Sequence, residues 1–145
     1  MAEVEFKRFK QTLKTQGYFV TRPRMRLFGL LQNHPALTFK DLVGKVEKHD
    51  QSTVYRNMDL FEKLGIIHRI KLGWQYRIEL TDKFHRHHHH LSCLDCGIIL
   101  VLKDESRIES EIERICKMAD FVASDHQLEI RGYCKSCNNK HKSPE

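Results

Sequence analysis

The stretch that decides the fold is Ser52-Thr-Val-Tyr-Arg-Asn-Met-Asp-Leu-Phe-Glu-Lys-Leu-Gly65, running on into Ile66-Ile-His-Arg-Ile-Lys71, Leu72-Gly73 and Trp74-Gln-Tyr-Arg-Ile-Glu-Leu80. Val54, Met58 and Phe61 recur at helical spacing from Ser52 to Leu64, and Leu60 and Leu64 widen that apolar face. Gly65 is placed to take the left-handed conformation that ends a helix. After it the period drops to two, so 66–71 and 74–80 read as strands joined at Leu72-Gly73 in a compact hairpin. With the apolar face turned inward, Ser52, Tyr55, Arg56 and Asp59 fall on the other faces.

Upstream, the periodicity predicts three more short helices. Val4, Phe6, Phe9 and Leu13 stripe the first, which Gly17 ends. Thr21 offers a hydroxyl to cap the second, with Pro23 in its first turn, where a missing N–H costs nothing. Met25, Leu27, Phe28, Leu30 and Leu31 form its inner side, and Asn33-His34-Pro35 stops it. The third starts at a Thr38 cap and carries Leu42, Val43 and Val46. Helices followed by a hairpin in this order describe a winged helix-turn-helix with 52–64 as recognition helix. An exposed Tyr55-Arg56 pair near that helix's start suits base edges and phosphates, and Arg22, Arg24 and Arg26 add phosphate contacts.

Charge supports that reading. The chain has 145 residues, 40% hydrophobic and 30% charged, with net charge +6. Residues 1–83 hold 16 Lys/Arg against 9 Asp/Glu, whereas 84–145 hold 9 against 10, so the excess positive charge lies wholly in the first half. Such asymmetry points to a polyanion-binding module joined to something else. All five cysteines lie between Cys93 and Cys137, and seven of ten histidines between His85 and His141. The two composition shifts meet near 80–86, which divides the chain into 1–83 and 84–145. No run approaches the roughly 20 apolar residues of a membrane span. The N-terminus carries charge where a signal peptide is apolar. Together these lead to the expectation of a cytoplasmic protein with no membrane association.

The second half carries the stronger chemistry. Cys93-Leu-Asp-Cys96 and Cys134-Lys-Ser-Cys137 are two pairs spaced to bring both sulfurs of a turn onto one ion at about 2.3 Å, and together they make a closed tetrahedral zinc site. Gly97 supplies the tight turn after the first pair. The 37 intervening residues mean that the ion clips a whole subdomain. Disulfides are the alternative, which a reducing cytosol disfavours. Cys116, in register with Ile108, Ile112 and Ile115, reads as core packing on a helix over 104–118. IILVL (98–102) reads as a buried strand and 127–132 as another, with Leu128 and Ile130 on one side.

His85-Arg-His-His-His-His90 is the second metal signal. Extended backbone sends His87 and His89 to one side and His88 and His90 to the other. One run can therefore feed two sites, completed by partners such as Glu79, Glu109, His126, His34 or His68. A mixed imidazole–carboxylate shell suits Zn2+, Fe2+, Mn2+, Co2+ or Ni2+. His49 and His141 read as exposed surface residues. Some sixty residues bury little core alone, so this half is expected to depend on zinc and on a second chain.

Thr21-Arg-Pro-Arg24, Ser52-Thr-Val-Tyr-Arg56, Gly65-Ile-Ile, His87-His-His-His-Leu-Ser-Cys-Leu-Asp-Cys96-Gly, Asp125-His-Gln-Leu-Glu-Ile-Arg-Gly132 and Cys134-Lys-Ser-Cys137 occur in one order over nearly the whole chain. In that combination the sequence resembles the ferric uptake regulator family of bacterial metal-responsive repressors. The resemblance implies an α+β protein in which a DNA-binding winged helix precedes a small α/β dimerisation domain. The active form would be a homodimer on a near-palindromic double-stranded DNA operator. It matches Tyr55 to a base-contacting tyrosine and Arg56 and Arg24 to backbone-contacting arginines, with Ser52 and Thr53 beside them. Cys93, Cys96, Cys134 and Cys137 match the structural zinc site. Glu79, His88 and His90 match the regulatory site between the domains, and His87, His89, Glu109 and His126 an additional site. The histidine usual before the third helix is here Ala36, leaving His34 or His68 to complete the regulatory set. A carboxylate often found after the first cysteine pair is here Val101. Zinc-sensing relatives commonly have cysteine at position 79 and peroxide-sensing ones aspartate at 79 and 101, so ferrous iron is the expected signal, ahead of Zn2+ or Mn2+.

Two other classes fit parts of this pattern. A zinc hydrolase or deaminase would use Glu79 or Glu109 as general base, but it needs an open metal position and a His-x-Glu pairing, which the sequence lacks. A metal buffer would use the histidine run and have no need of Tyr55 or Arg56. Neither an enzymatic activity nor a small-molecule substrate is expected.

Overall fold

The structure is a computed structural model that describes residues 2–34, 36–46, 51–102 and 106–141, the side chains of Ala2 and His141 excepted. His49 and Pro35 fall outside the described residues, as does the side chain of His141. The chain divides into two units, Met1–His87 and His88–Glu145.

The first unit comprises α1 (Ala2–Thr15), α2 (Arg22–Asn33), α3 (Phe39–Lys45), α4 (Gln51–Lys63), β1 (Ile67–Leu72) and β2 (Gln75–Leu80). Its core is built by the residues whose periodicity marks them. Phe9, Leu13, Leu27, Phe28, Leu31, Leu42, Val54, Met58 and Phe61 are buried together with Ile66, Ile67, Ile78 and Leu80 from the hairpin. Phe28 is the centre of an aromatic cluster. It stacks on Phe9 at 4.2 Å between centroids and meets Phe6 at 4.9 Å and Phe84 at 6.0 Å edge-on. Phe84 thus ties the segment after β2 into this core.

Helix ends follow local chemistry, with one departure. Gly65 adopts φ +64°, and Ile66 N–H then bonds the Phe61 carbonyl at 2.9 Å, closing α4 before the strand begins. Thr38 forms a reciprocal capping box with Asp41: its hydroxyl accepts from Asp41 N–H at 3.1 Å, and the Asp41 carboxylate accepts from Thr38 N–H at 3.1 Å. That hydrogen bonding, chiefly from the Thr38 hydroxyl, holds the Asp41 carboxyl below its usual range. Thr21 does stand at the start of α2, but its hydroxyl makes no capping bond; the helix starts on Pro23 and the Met25 N–H to Thr21 carbonyl bond alone. The hairpin pairs antiparallel with Leu72 opposite Gln75, so Gly73 and Trp74 form the turn, one residue later than the sequence suggests.

The second unit contains β3 (His90–Cys93), β4 (Ile99–Val101), α5 (Ser106–Met118), β5 (Glu129–Gly132) and a short α6 (Lys135–His141). The sheet order is β4-β3-β5, with β3 antiparallel to β4 and parallel to β5. The expectation of a buried 98–102 strand is not met: Ile98, Leu100 and Val101 are exposed, as are Ile130 on β5 and Tyr133 just after it. Nor does α5 bury any residue, and Cys116 on it is only half-buried. A three-stranded sheet of 3- and 4-residue strands has too little area to cover both faces.

Removing the centre of the first core should be costly. Phe28→Ala is expected to lower the stability of the first unit by about 3–5 kcal/mol, read as a lower urea midpoint at unchanged slope. At the α3 start, Thr38→Ala should cost about 1 kcal/mol, whereas Thr21→Ala should cost almost nothing. Because the folded Asp41 pKa lies below its unfolded value, the box contributes fully above about pH 4 and is lost as pH falls through the folded value. NMR titration of the Asp41 carboxyl carbon should therefore move upward in Thr38→Ala.

Candidate nucleic-acid interface and metal centres

The recognition helix α4 buries Val54, Asn57, Met58 and Phe61 and leaves Ser52, Tyr55, Arg56 and Asp59 exposed. Tyr55 stacks on Phe39 of α3 at 3.9 Å between centroids, with 52% of its surface still accessible. This stacking fixes the ring. Arg56 lies back along its own helix and donates to the Ser52 carbonyl at 3.2 Å and the Ser52 hydroxyl at 3.1 Å. Thr53 is half-buried, and its carbonyl accepts from the Asn57 amide at 2.8 Å.

Arg24 has a more interior position than its residue type suggests. Its Nε donates to Asn57 Oδ1 at 3.1 Å, a terminal nitrogen donates to the Phe19 carbonyl, and the guanidinium lies over the Tyr18 ring at 5.7 Å. The α1–α2 loop is thereby tied to α4 through one buried amide. Asn57 is the residue the sequence reading passed over. Its signal was a polar side chain on the apolar face of an otherwise regular helix, which marks a buried partner.

In the second unit the four paired cysteines converge: one sulfur of each lies within 4.8 Å of the other three. Cys96 and Cys134 sulfurs are 3.8 Å apart, well beyond an S–S bond, and none of the five cysteines is paired in a disulfide. A tetrahedral ion with 2.3 Å bonds to sulfur separates its ligands by about 3.8 Å, so the cluster has the dimensions of a structural zinc site. Its electrostatics ask for a cation. The Cys134 N–H, bonded to Cys93 Sγ at 3.4 Å, and the Cys96 N–H bring the Cys93 thiol down to about 6. Burial and the neighbouring sulfurs push the Cys137 thiol up to about 12. One sulfur readily carries a charge while another resists it, and a dication compensates all four at once.

The histidine run alternates as extended backbone requires. His88 and His90 share a side, their rings in edge contact at 4.7 Å between centroids. His89 turns the other way and is 1% exposed; its Nε2 lies 2.9 Å from Glu109 Oε1. His126 Nε2 is 3.4 Å from the same oxygen. Two imidazoles and a carboxylate from the segment leading into β3, from α5 and from the loop before β5 thus face one point, a donor set that fits a divalent cation of the first transition row. His87 is bonded to Asp82 at 2.9 Å. In the first unit Glu79 is 7% exposed, and its Oε1 lies 2.9 Å from His68 Nε2 across the hairpin. His34 sits at the end of α2, where its N–H bonds the Leu30 carbonyl.

Because the second unit buries only two hydrophobic residues among those described, and both are cysteines, its folding should depend on the tetrathiolate ion. Stripping zinc with a strong chelator, or Cys134→Ser, should collapse the amide cross-peaks of residues 88–141 into the unfolded region. Those of α1–α4 should remain dispersed.

Three comparisons bear on this geometry. The family model described as the ferric uptake regulator family matches residues 15–131. The ferric uptake regulation protein of Yersinia pestis is 35% identical over 136 residues, covering 88% of this chain and 89% of that protein. The ferric uptake regulator of Francisella tularensis, solved with iron, superposes with a TM-score of 0.67 at 31% identity, over 84% of this chain and 96% of that one. The Helicobacter pylori ferric uptake regulator shares the fold, with a TM-score of 0.76 at 23% identity over 95% of this chain and 94% of that one. With the family model spanning residues 15–131 and the Yersinia pestis relative 35% identical over 88% of the chain, this chain belongs to the ferric uptake regulator family.

Proposed function

We propose that this chain is a metal-dependent transcriptional repressor that binds a double-stranded DNA operator as a homodimer when it holds ferrous iron. The observation that carries this reading is the coexistence of two devices with no common structural purpose. One is an exposed Tyr55-Arg56 pair on a helix set for a DNA groove. The other is a supply of buried imidazole and carboxylate donors apart from the cysteine site. Zn2+ at Cys93, Cys96, Cys134 and Cys137 supplies folding energy. Glu79, His88 and His90 are assigned to the regulatory cation, and His87, His89, Glu109 and His126 to an additional one. A cation bound more tightly by the DNA-binding form makes metal occupancy and operator affinity linked quantities.

Several features support the finer parts. Glu79 stands where zinc-sensing relatives commonly carry a cysteine, which favours Fe2+ over Zn2+ as the signal. The relative from Francisella tularensis is described with iron. The exposed Ile98, Leu100, Val101, Ile115, Met118 and Ile130 give the second unit an apolar surface of the kind a second copy covers. No helix among the described residues is long and apolar enough to cross a membrane. Transcriptional regulators of this family are not enzymes, and a closed tetrathiolate site keeps no open coordination position for hydrolysis.

Fluorescence anisotropy on a duplex selected from a palindromic library, with zinc-loaded protein under anaerobic conditions, tests the reading. Fe2+ should tighten operator binding by about 3–5 kcal/mol, a factor of roughly 150 to 4,000. Tyr55→Ala should reduce affinity for that duplex towards that for random DNA while leaving non-specific binding intact. Affinity indifferent to Fe2+, Mn2+ and Zn2+ alike would leave the proposal without its switch.

A further inference from the structure

Glu79 lies on β2, which has a neighbour on each side. β1 pairs with it along the hairpin, and the segment before α3 joins it through an isolated antiparallel bridge between Leu37 and Ile78. On the β1 side the register places His68 opposite Glu79, with the two side chains 2.9 Å apart. On the other side a single bridge sets Leu37 against Ile78, and Ala36, at φ +58°, ends the extended run just before it. Ala36 offers only a buried methyl, and its carbonyl accepts from Arg77 at 3.0 Å. His34 is two residues further back, at the end of α2. The residue that the hairpin register sets against Glu79 is therefore itself a metal donor, His68.

We propose that His68 is a ligand of the regulatory cation, so that the wing contributes two donors, Glu79 and His68. This rests on the assignment of Glu79 to that cation. The dimensions fit. Nitrogen and oxygen ligands at about 2.0–2.2 Å in octahedral geometry stand about 2.8–3.1 Å apart on adjacent corners, which is the spacing of His68 Nε2 and Glu79 Oε1. Both residues sit on paired strands, whose backbone positions are set by the ladder. The accessibilities are complementary as well: the Glu79 side chain is 9% exposed and that of His68 44%, so a cation can reach the buried carboxylate past the imidazole.

The competing role is positional, with His68 merely orienting Glu79 by a hydrogen bond. The two are separated by titrating Co2+ into full-length protein already loaded with zinc at its cysteines, reading affinity and the visible ligand-field spectrum. His68→Ala and His68→Gln should both weaken Co2+ binding on the order of 100-fold and shift the spectrum, since glutamine keeps a hydrogen bond to Glu79 but removes the imidazole nitrogen. His34→Ala should leave both readouts unchanged. Zinc content and thermal unfolding, expected to be unaltered in all three variants, establish that each is folded. Rescue of affinity and spectrum by His68→Gln would overturn the inference and make His68 a positioning residue. Wild-type behaviour of His68→Ala alongside a large loss in Glu79→Ala would overturn it while sparing the regulatory site. Wild-type behaviour of Glu79→Ala as well would overturn both readings.

Discussion

Cys93, Cys96, Cys134 and Cys137 converge to the dimensions of one ion site, in a unit whose described residues offer little other core. Its strands are three or four residues long, its helix α5 buries no side chain, and the hydrophobic residues of the sheet point outward. Entropy still opposes the ordering of some fifty residues, at about 1–2 kcal/mol each for the backbone alone. A tetrathiolate dication supplies apparent free energy on the order of 10 kcal/mol at neutral pH, and it does so at the point where β3 and the chain after β5 meet. The same sheet leaves Leu100, Val101 and Ile130 exposed.

The first unit solves the same problem conventionally, and its conventional core frees its surface for chemistry. With Phe9, Phe28, Phe61 and Phe84 packed at the centre, α4 can spend one face on burial and keep Tyr55 and Arg56 outside. Asn57 links the two sides: a buried amide that fixes Arg24 and, through it, the loop carrying Phe19. A polar group in such a place is retained only when its hydrogen bonds are made, and here both ends of the amide are engaged.

Much of this was legible from residue order. The apolar period of α4, the switch to period two after Gly65 and the Thr38 box are local signals, and each element formed where its signal stood. The paired cysteines announced a four-sulfur site by spacing alone, and alternation in the histidine run separated His88 and His90 from His89. The failures were also physical. Thr21 has the right residue type for a cap, yet Pro23 pre-sets the helix turn and the hydroxyl is not used. Ile98–Leu102 has the composition of a buried strand, but composition cannot say whether the covering surface belongs to the same chain.

The sequence by itself determined the element order, the charge division and the sulfur ligands, because helix period, turn residues and metal-knuckle spacing act over fewer than ten residues. Tertiary structure alone decided which donors meet across long separations. Glu109 and His126 reach His89 only because α5 and the segment before β5 return to β3. His68 faces Glu79 only because a two-residue turn sets the hairpin register, and a slip of one residue would have sent it to the opposite face.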